Sequence, residues 1–133
     1  MMDTNAVIRA YLAADAGLIA LVGTRIYSPR LPENTVLPAI SFFTRGGTAT
    51  PYIPPKPIPS VQFDCWAEDP IDAREVYIAL YEALQGIQNV SVVIAPNTYR
   101  ILSAREEIQG QDLSEDIPGY YRVMTFFEIQ IIS

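Results

Sequence analysis

The stretch SVQFDCWAEDPIDAREVYIALYEALQG, Ser60 to Gly86, decides how this chain folds. In its first part Val61, Phe63, Cys65 and Ala67 alternate with Gln62, Asp64 and Trp66. Successive side chains on a strand point to opposite faces, so this is a strand with an apolar core face and an amphipathic second face. A helix start follows at once. Asp69 is placed to cap it, Pro70 suits the first helical position, where a missing N–H is no loss, and Asp72 sits at the positive end of the helix dipole. Ala73, Val76, Tyr77, Leu80, Ala83 and Leu84 then form one stripe at helical spacing, Glu75, Glu82 and Gln85 lie off it, and Gly86 ends the helix. A one-faced strand running into a one-striped helix makes a layered α+β domain the natural solution.

Upstream, Thr4 to Val22 is alanine-rich, with Val7, Ile8, Tyr11 and Leu12 at helical spacing and Thr4 or Asn5 placed as cap. Asp15 precedes a second apolar group, Leu18, Ile19, Leu21 and Val22, and Gly23 follows it, which predicts a re-capped short helix after a bend near Asp15 to Gly17. From Thr24 the pattern turns to short β pieces, Arg25 to Tyr27 and then Ala39 to Arg45, where Ile40, Phe42 and Thr44 alternate with Ser41 and Phe43. Eight of the eleven prolines fall between Pro29 and Pro59, and a residue without an amide hydrogen belongs at sheet edges or in loops. GGTATPYIPPKPIP, residues 46–59, is therefore neither helix nor central strand. Tyr52 and Ile53 give it apolar side chains with no obvious partner in the chain, which leaves two readings open, a long solvated hairpin loop and a partner-binding arm.

Downstream, Val90 to Ala95 is a short β run stopped by Pro96 and Asn97. Thr98 to Ile108 and Tyr120 to Ile132 read as the arms of a hairpin, with GQDLSEDIPG, Gly110 to Gly119, as a polar linker. The element order predicts a single domain over 1–133: an α+β fold with one mostly antiparallel sheet of about four to five strands and two main helices packed on one face.

Composition excludes much chemistry. The chain has 133 residues, no histidine, one cysteine, and a formal charge of −6 from 9 basic and 15 acidic side chains. A chain this long buries roughly two-thirds of its unfolded surface, enough for one core. Without histidine there is no Ser-His-Asp triad, no Cys-His dyad and no ordinary catalytic zinc site. Lys56 and eight scattered arginines form no basic run, which argues against binding nucleic acid through phosphate neutralisation. Met1 to Asn5 lacks a basic leader, and Arg9 and Asp15 interrupt the apolar stretch after it, so neither a signal peptide nor a membrane span is expected. The lone thiol fits a reducing compartment.

Candidate chemistry is equally sparse. Cys65 sits beside Val61 and Phe63 on the predicted core face, with no imidazole to activate it. Asp112, Glu115 and Asp116 are oxygen ligands in principle but lack the spacing of a calcium loop, and a hydrated loop accounts for them as well. Glu106 and Glu107 are adjacent on a strand and so face opposite ways. Gly46-Gly47 lacks the lysine of a phosphate loop. These observations predict no enzyme, no metal and no cofactor. Trp66, Tyr120, Tyr121, Phe126 and Phe127 put aromatics on both faces of strands, which calls for a second cover, either the helices or a neighbouring subunit.

LIALVGTRIYSPRLPENTVLPAISF (18–42), SVQFDCWAEDPIDAREVYIALYEAL (60–84) and a closing YYRVMTFFEIQI (120–131) together resemble the tail-completion and tail-terminator proteins of long-tailed bacteriophages. The matching positions are Leu21 to Gly23, Arg25 to Tyr27, Leu37 to Ile40, then Val61, Gln62, Asp64, Trp66 and Ala67, Ala73 and Arg74, and finally Tyr121, Arg122 and Phe126. The loop at 46–59 is richer in proline than the family pattern. The resemblance implies a small α+β virion subunit, made in the host cytoplasm, that assembles with itself into a ring, as a rule a hexamer. Such a ring sits at the neck end of the tail, terminates the tube and joins it to the head. Its implied partners are the tail tube protein and a head connector or neck protein, with viral DNA passing through the lumen without specific binding and no membrane involved. Tyr52, Ile53, Trp66, Tyr120 and Arg122 are then candidate interface residues, and Asp112, Glu115 and Asp116 candidate lumen-facing acids. Another neck protein or a minor tail adaptor has the same composition, and that reading stays open beside the terminator.

Overall fold

The alternation in Ser60 to Ala67 places the third strand at the heart of the sheet. The computed structural model describes residues 3–48, 58–114 and 119–132. Its helices are α1 (Thr4–Ala13), α2 (Ala16–Val22) and α3 (Pro70–Leu84), and its strands β1 (Ile26–Tyr27), β2 (Ala39–Thr48), β3 (Ile58–Ala67), β4 (Gln88–Ile94), β5 (Asn97–Ser114) and β6 (Tyr121–Ile132). The strands form one curled sheet in the order β1-β2-β3-β6-β5-β4, antiparallel throughout except where β1 runs parallel to β2. On its concave side α3 packs over β3, β5 and β6, α2 packs on α3, and α1 meets both edge strands, β1 and β4.

The α+β class and the mostly antiparallel sheet match the sequence reading, and the strand count is corrected from four or five to six. Two marginal pieces join the sheet. Two-residue β1 pairs Ile26 with Ile40 and Tyr27 with Ser41, and β4 folds back on β5 across a tight turn, with Ile94 opposite Asn97. The polar linker is corrected as well: Gln111 to Ser114 continue β5 and pair with Met124 to Tyr121. A ladder is satisfied by backbone groups whatever the side chains, and three register shifts along β5 absorb the change from buried to exposed surroundings.

Helix boundaries follow their caps. Asp69 accepts the Ile71 N–H at 2.7 Å and Pro70 opens α3, as the sequence predicts. Gly86, just past the helix, adopts φ +79° and donates its N–H to Ala104 O at 3.1 Å, tying the end of α3 to β5. Asp15 caps α2 through the Leu18 N–H, and the two N-terminal helices meet at an 87° bend. The cap of α1 is Asp3, accepting from Asn5 and Ala6, and not Thr4 or Asn5; an ionised carboxylate is the better acceptor for amides at the positive end of a helix. Among the described residues no single helix is long and apolar enough to cross a membrane; the α1–α2 pair passes by length and composition only if joined across its bend, and it buries Val7, Ile8, Leu12, Leu18 and Val22 in the core.

That core is centred on three rings from adjacent strands. Phe42 and Phe63 lie 5.5 Å apart, and Phe63 meets Phe127 edge to face at 5.8 Å. All three are fully buried, each contributing roughly 1.5–3 kcal/mol through lost contact with water.

Candidate functional site

The second face of the same strands carries a different layer. Asp64 on β3 is 96% covered although it points away from the helices, and Arg122 on β6 reaches its Oδ1 at 3.2 Å. The strand register opposes Trp66 to Arg122, so the guanidinium carbon lies 5.3 Å from the indole ring centre. Trp66 donates its indole N–H to Ser41 Oγ at 2.9 Å, and Tyr120 meets the indole edge to face at 6.4 Å. Gln62 donates to Asp64 from one pleat away, at 3.3 Å. Beside this cluster Arg45 lies 3.9 Å over the ring of Phe126. The outer face of β2, β3 and β6 is thus a pre-ordered patch of stacked rings and arginines, with its one buried carboxylate already hydrogen-bonded.

Three of the five interface candidates, Trp66, Tyr120 and Arg122, come together here. Tyr52 and Ile53 lie outside the described residues, as do Glu115 and Asp116. Asp112 is described: it is exposed at the end of β5 and takes an ion pair from Arg74 on α3 at 3.1 Å. Its charge is thereby shared and not freely presented.

Sequence reasoning missed two features. The first is a polar knot on the concave side. The Tyr77 hydroxyl donates to Glu106 Oε2 at 2.6 Å and accepts the Gly110 N–H at 3.1 Å, while Thr125 donates to the same carboxylate oxygen at 2.6 Å. Burial first, then the hydrogen bond to Glu106, pushes the Tyr77 hydroxyl up to about 12. A Cβ at Gly110 would stand 2.6 Å from Tyr77 Cζ, so a larger residue there would have to displace the ring that makes these hydrogen bonds. Glu107 turns to the opposite face, as its neighbour's position demands, and accepts from Ser60 at 2.7 Å. The second is the solvent side of α3, where Ile71 and Ile78 are 69% and 53% exposed beside Arg74 and Tyr81. Their spacing of seven, with Arg74 and Tyr81 three residues after each, is a second stripe that the sequence could have disclosed.

Cys65 is fully enclosed on the core face, and burial, aided by the neighbouring Asp64 carboxylate, pushes its thiol well above the ordinary range. Among the described residues no group of three or more acidic or cysteine side chains could hold a metal ion. What the geometry offers is surface: rings, guanidinium planes and strand edges.

No protein-family model matches the sequence, and no curated protein matches it. Among solved structures, a chain described as "Virion of native gene transfer agent (GTA) particle" superposes with a TM-score of 0.66 at 18% sequence identity, covering 96% of this chain and 93% of that one. The two chains share a fold from end to end.

Proposed function

We propose that this chain is a structural virion subunit that forms a ring, hexameric by the family resemblance, at the head-proximal end of a phage-type tail tube, where it terminates tube growth and provides the surface to which the head connector or neck protein joins. The observation that carries this reading is the end-to-end fold shared with a chain of a gene transfer agent virion, at an identity low enough that architecture and not recent ancestry is what the two have in common. The outer patch supports it. A layer of rings and arginines already held by its own hydrogen bonds loses little side-chain freedom when a partner covers it, so burial there converts efficiently into affinity. A ring that copies one side of the tube's repeating interface and not the other binds the growing end and leaves no further docking site, so growth stops by occupancy and without turnover. A net charge of −6 suits a conduit for DNA, since like charge keeps the duplex from adhering to the wall.

Electron microscopy of particles made without this protein tests the reading. Overlong tails, or tail tubes of irregular length, are expected. Tails of normal length that fail to join heads would instead assign it a neck or minor adaptor role, and normal tails joined to heads would refute both. Trp66→Ala should leave the core intact and reduce occupancy of the ring on purified tubes.

A further inference from the structure

The solvent side of α3 is used by none of this. Ile71, Asp72, Glu75, Ile78, Tyr81 and Glu82 are all exposed there, and the two isoleucines stand two turns, about 10 Å, apart on one line of the helix. Lone exposed apolar residues are ordinary, but isoleucines 69% and 53% exposed along one stripe are the mark of a surface that meets a partner. The stripe is also acidic. Between Glu68 and Gln85 five acids stand against one arginine, Arg74, and that arginine already holds Asp112. Among the described residues no cation pairs with Asp72, Glu75 or Glu82. Two such stripes laid face to face would set acid against acid, so the surface that covers this one has to be basic, with apolar area to match.

The chain carries a surface of that kind. Of its eight arginines, Arg45 stacks on Phe126, and Arg74, Arg105 and Arg122 hold carboxylates. Three of the other four gather at β1. Arg9 on α1 donates its Nε to Ile26 O at 3.1 Å, Arg25 donates its Nε to Pro38 O at 2.9 Å, and the loop that leaves β1 brings in Arg30, which is exposed. Anchoring through Nε fixes the planes of Arg9 and Arg25 and leaves their terminal nitrogens for an anion, and among the described residues no acid pairs with any of the three. Glu33 is the single acid between Thr24 and Pro38, and Val36 in the same loop is 68% exposed. Because Ile26 between them is buried in the core, Arg25 and Tyr27 lie on the convex side, where Tyr27 opposes Ser41, the residue that takes the Trp66 indole N–H. This basic corner is therefore continuous with the outer patch of rings.

We propose that the Ile71–Ile78 stripe of α3 in one copy docks on the corner formed by Arg9, Arg25, Arg30 and Val36 in the next, and that this is a head-to-tail contact of the ring; the inference rests on the ring reading above. Asp72, Glu75 and Glu82 then meet guanidinium groups, two of them already pinned, so the contact gains charge-assisted hydrogen bonds and orders few new side chains. Val36 gives the isoleucines an apolar partner. The two patches lie on different sides of one subunit, α3 over the concave face and the corner at the β1 edge, so the contact is heterologous, the kind that closes into rings.

Cross-linking between differently substituted copies decides it, because Cys65 is enclosed and does not compete. Ile78→Cys and Val36→Cys, both at exposed positions, are made as separate full-length proteins, mixed under conditions in which native mass spectrometry shows oligomers, free or on tail tubes, and oxidised. The expected product is a mixed disulfide dimer absent from either protein alone. Glu75→Arg with Glu82→Arg in the Ile78→Cys protein, or Arg30→Glu in the Val36→Cys protein, should lower its yield several-fold, and reversing charge on both sides should bring the yield back. A dimer of Ile78→Cys with itself in place of the mixed product would mean that two α3 stripes face each other and would overturn the proposal. So would a yield indifferent to all three charge reversals. Oligomers that form with no mixed disulfide overturn this contact and leave the ring reading in place. Strict monomers, with and without tail tubes, overturn both.

Discussion

The two faces of β3 differ by one residue of register and obey different rules. On the concave face Val61, Phe63 and Cys65 are sealed by α3 and by the rings of β2 and β6. On the convex face, among the described residues, Asp64 meets Arg122 and Gln62 of its own strand, and Trp66 meets Ser41, Arg122 and Tyr120. The first layer is held by apolar area and is indifferent to direction, whereas the second is held by directed hydrogen bonds and stacking and keeps one side open to a partner. A sheet covered by helices on one side can hold its fold with the first layer and leave the second available for assembly.

The largest effect is expected from damage to the concave layer. Phe63→Ala removes the ring between Phe42 and Phe127 at a fully buried site, and such truncations cost about 3–5 kcal/mol because the cavity collapses only in part. Urea unfolding should show a midpoint shifted to match, with folding and assembly lost together.

Damage to the convex layer should cost less and separate the two. Asp64→Asn keeps the shape and deletes the charge that Arg122 pairs with. Removing one partner of a fully buried ion pair costs about 3–5 kcal/mol, but Arg122 keeps 26% of its side chain exposed and can turn to water, so about 2 kcal/mol is expected. A folded variant with defective ring assembly is the expected phenotype. If stability fell as far as for Phe63→Ala, the convex cluster would belong to the core and not to an interface.

Legibility in the sequence follows the same division. The concave layer and its helix could be read because they rest on local rules: period two in Val61 to Ala67, a cap and proline at Asp69-Pro70, and a stripe from Ala73 to Leu84. The convex cluster could not be read in full. Trp66 and Arg122 stand out as residues, but Asp64 reads only as a polar position on the amphipathic second face, and its ion-pair partner lies 58 positions away. The end of β5 was hidden for another reason. Gln111, Asp112 and Ser114 are polar, and the ladder that holds this segment runs through the backbone and past a glycine that lies beneath Tyr77.

A smaller effect is expected at that crossing. Tyr77→Phe deletes the hydroxyl between Glu106 and Gly110 and should cost about 1 kcal/mol at neutral pH. The pH dependence gives the sign. With the Tyr77 hydroxyl at about 12 in the folded protein and the ordinary value of 10 in the unfolded chain, folding favours the protonated form. The stability this supplies is complete below pH 10 and is lost as the pH rises toward 12. Wild type should therefore lose its advantage over the variant as the pH rises through that interval, and a gap that stayed constant would mean that the hydroxyl does not titrate with folding.

The smallest effect is expected where the comparison reaches the rim of the molecule. Asp112 is 72% exposed in its side chain, and its pair with Arg74, itself 42% exposed, is the kind that contributes about 0–1 kcal/mol and is screened by salt. Asp112→Lys should leave the unfolding midpoint nearly unchanged, because the backbone ladder that holds β5 to Val123 does not depend on the side chain. It reverses one charge per subunit, and a ring repeats that reversal in every copy. If the proposed ring forms and Asp112 lines its channel, the added positive charge should retard or retain passing DNA at low ionic strength while tail length stays normal, since termination as proposed would act through occupancy and not through the wall. The effect should fade as salt is raised. Unchanged DNA ejection at every ionic strength would move Asp112 to the outside of the ring, and the conduit's acidity would have to come from other carboxylates.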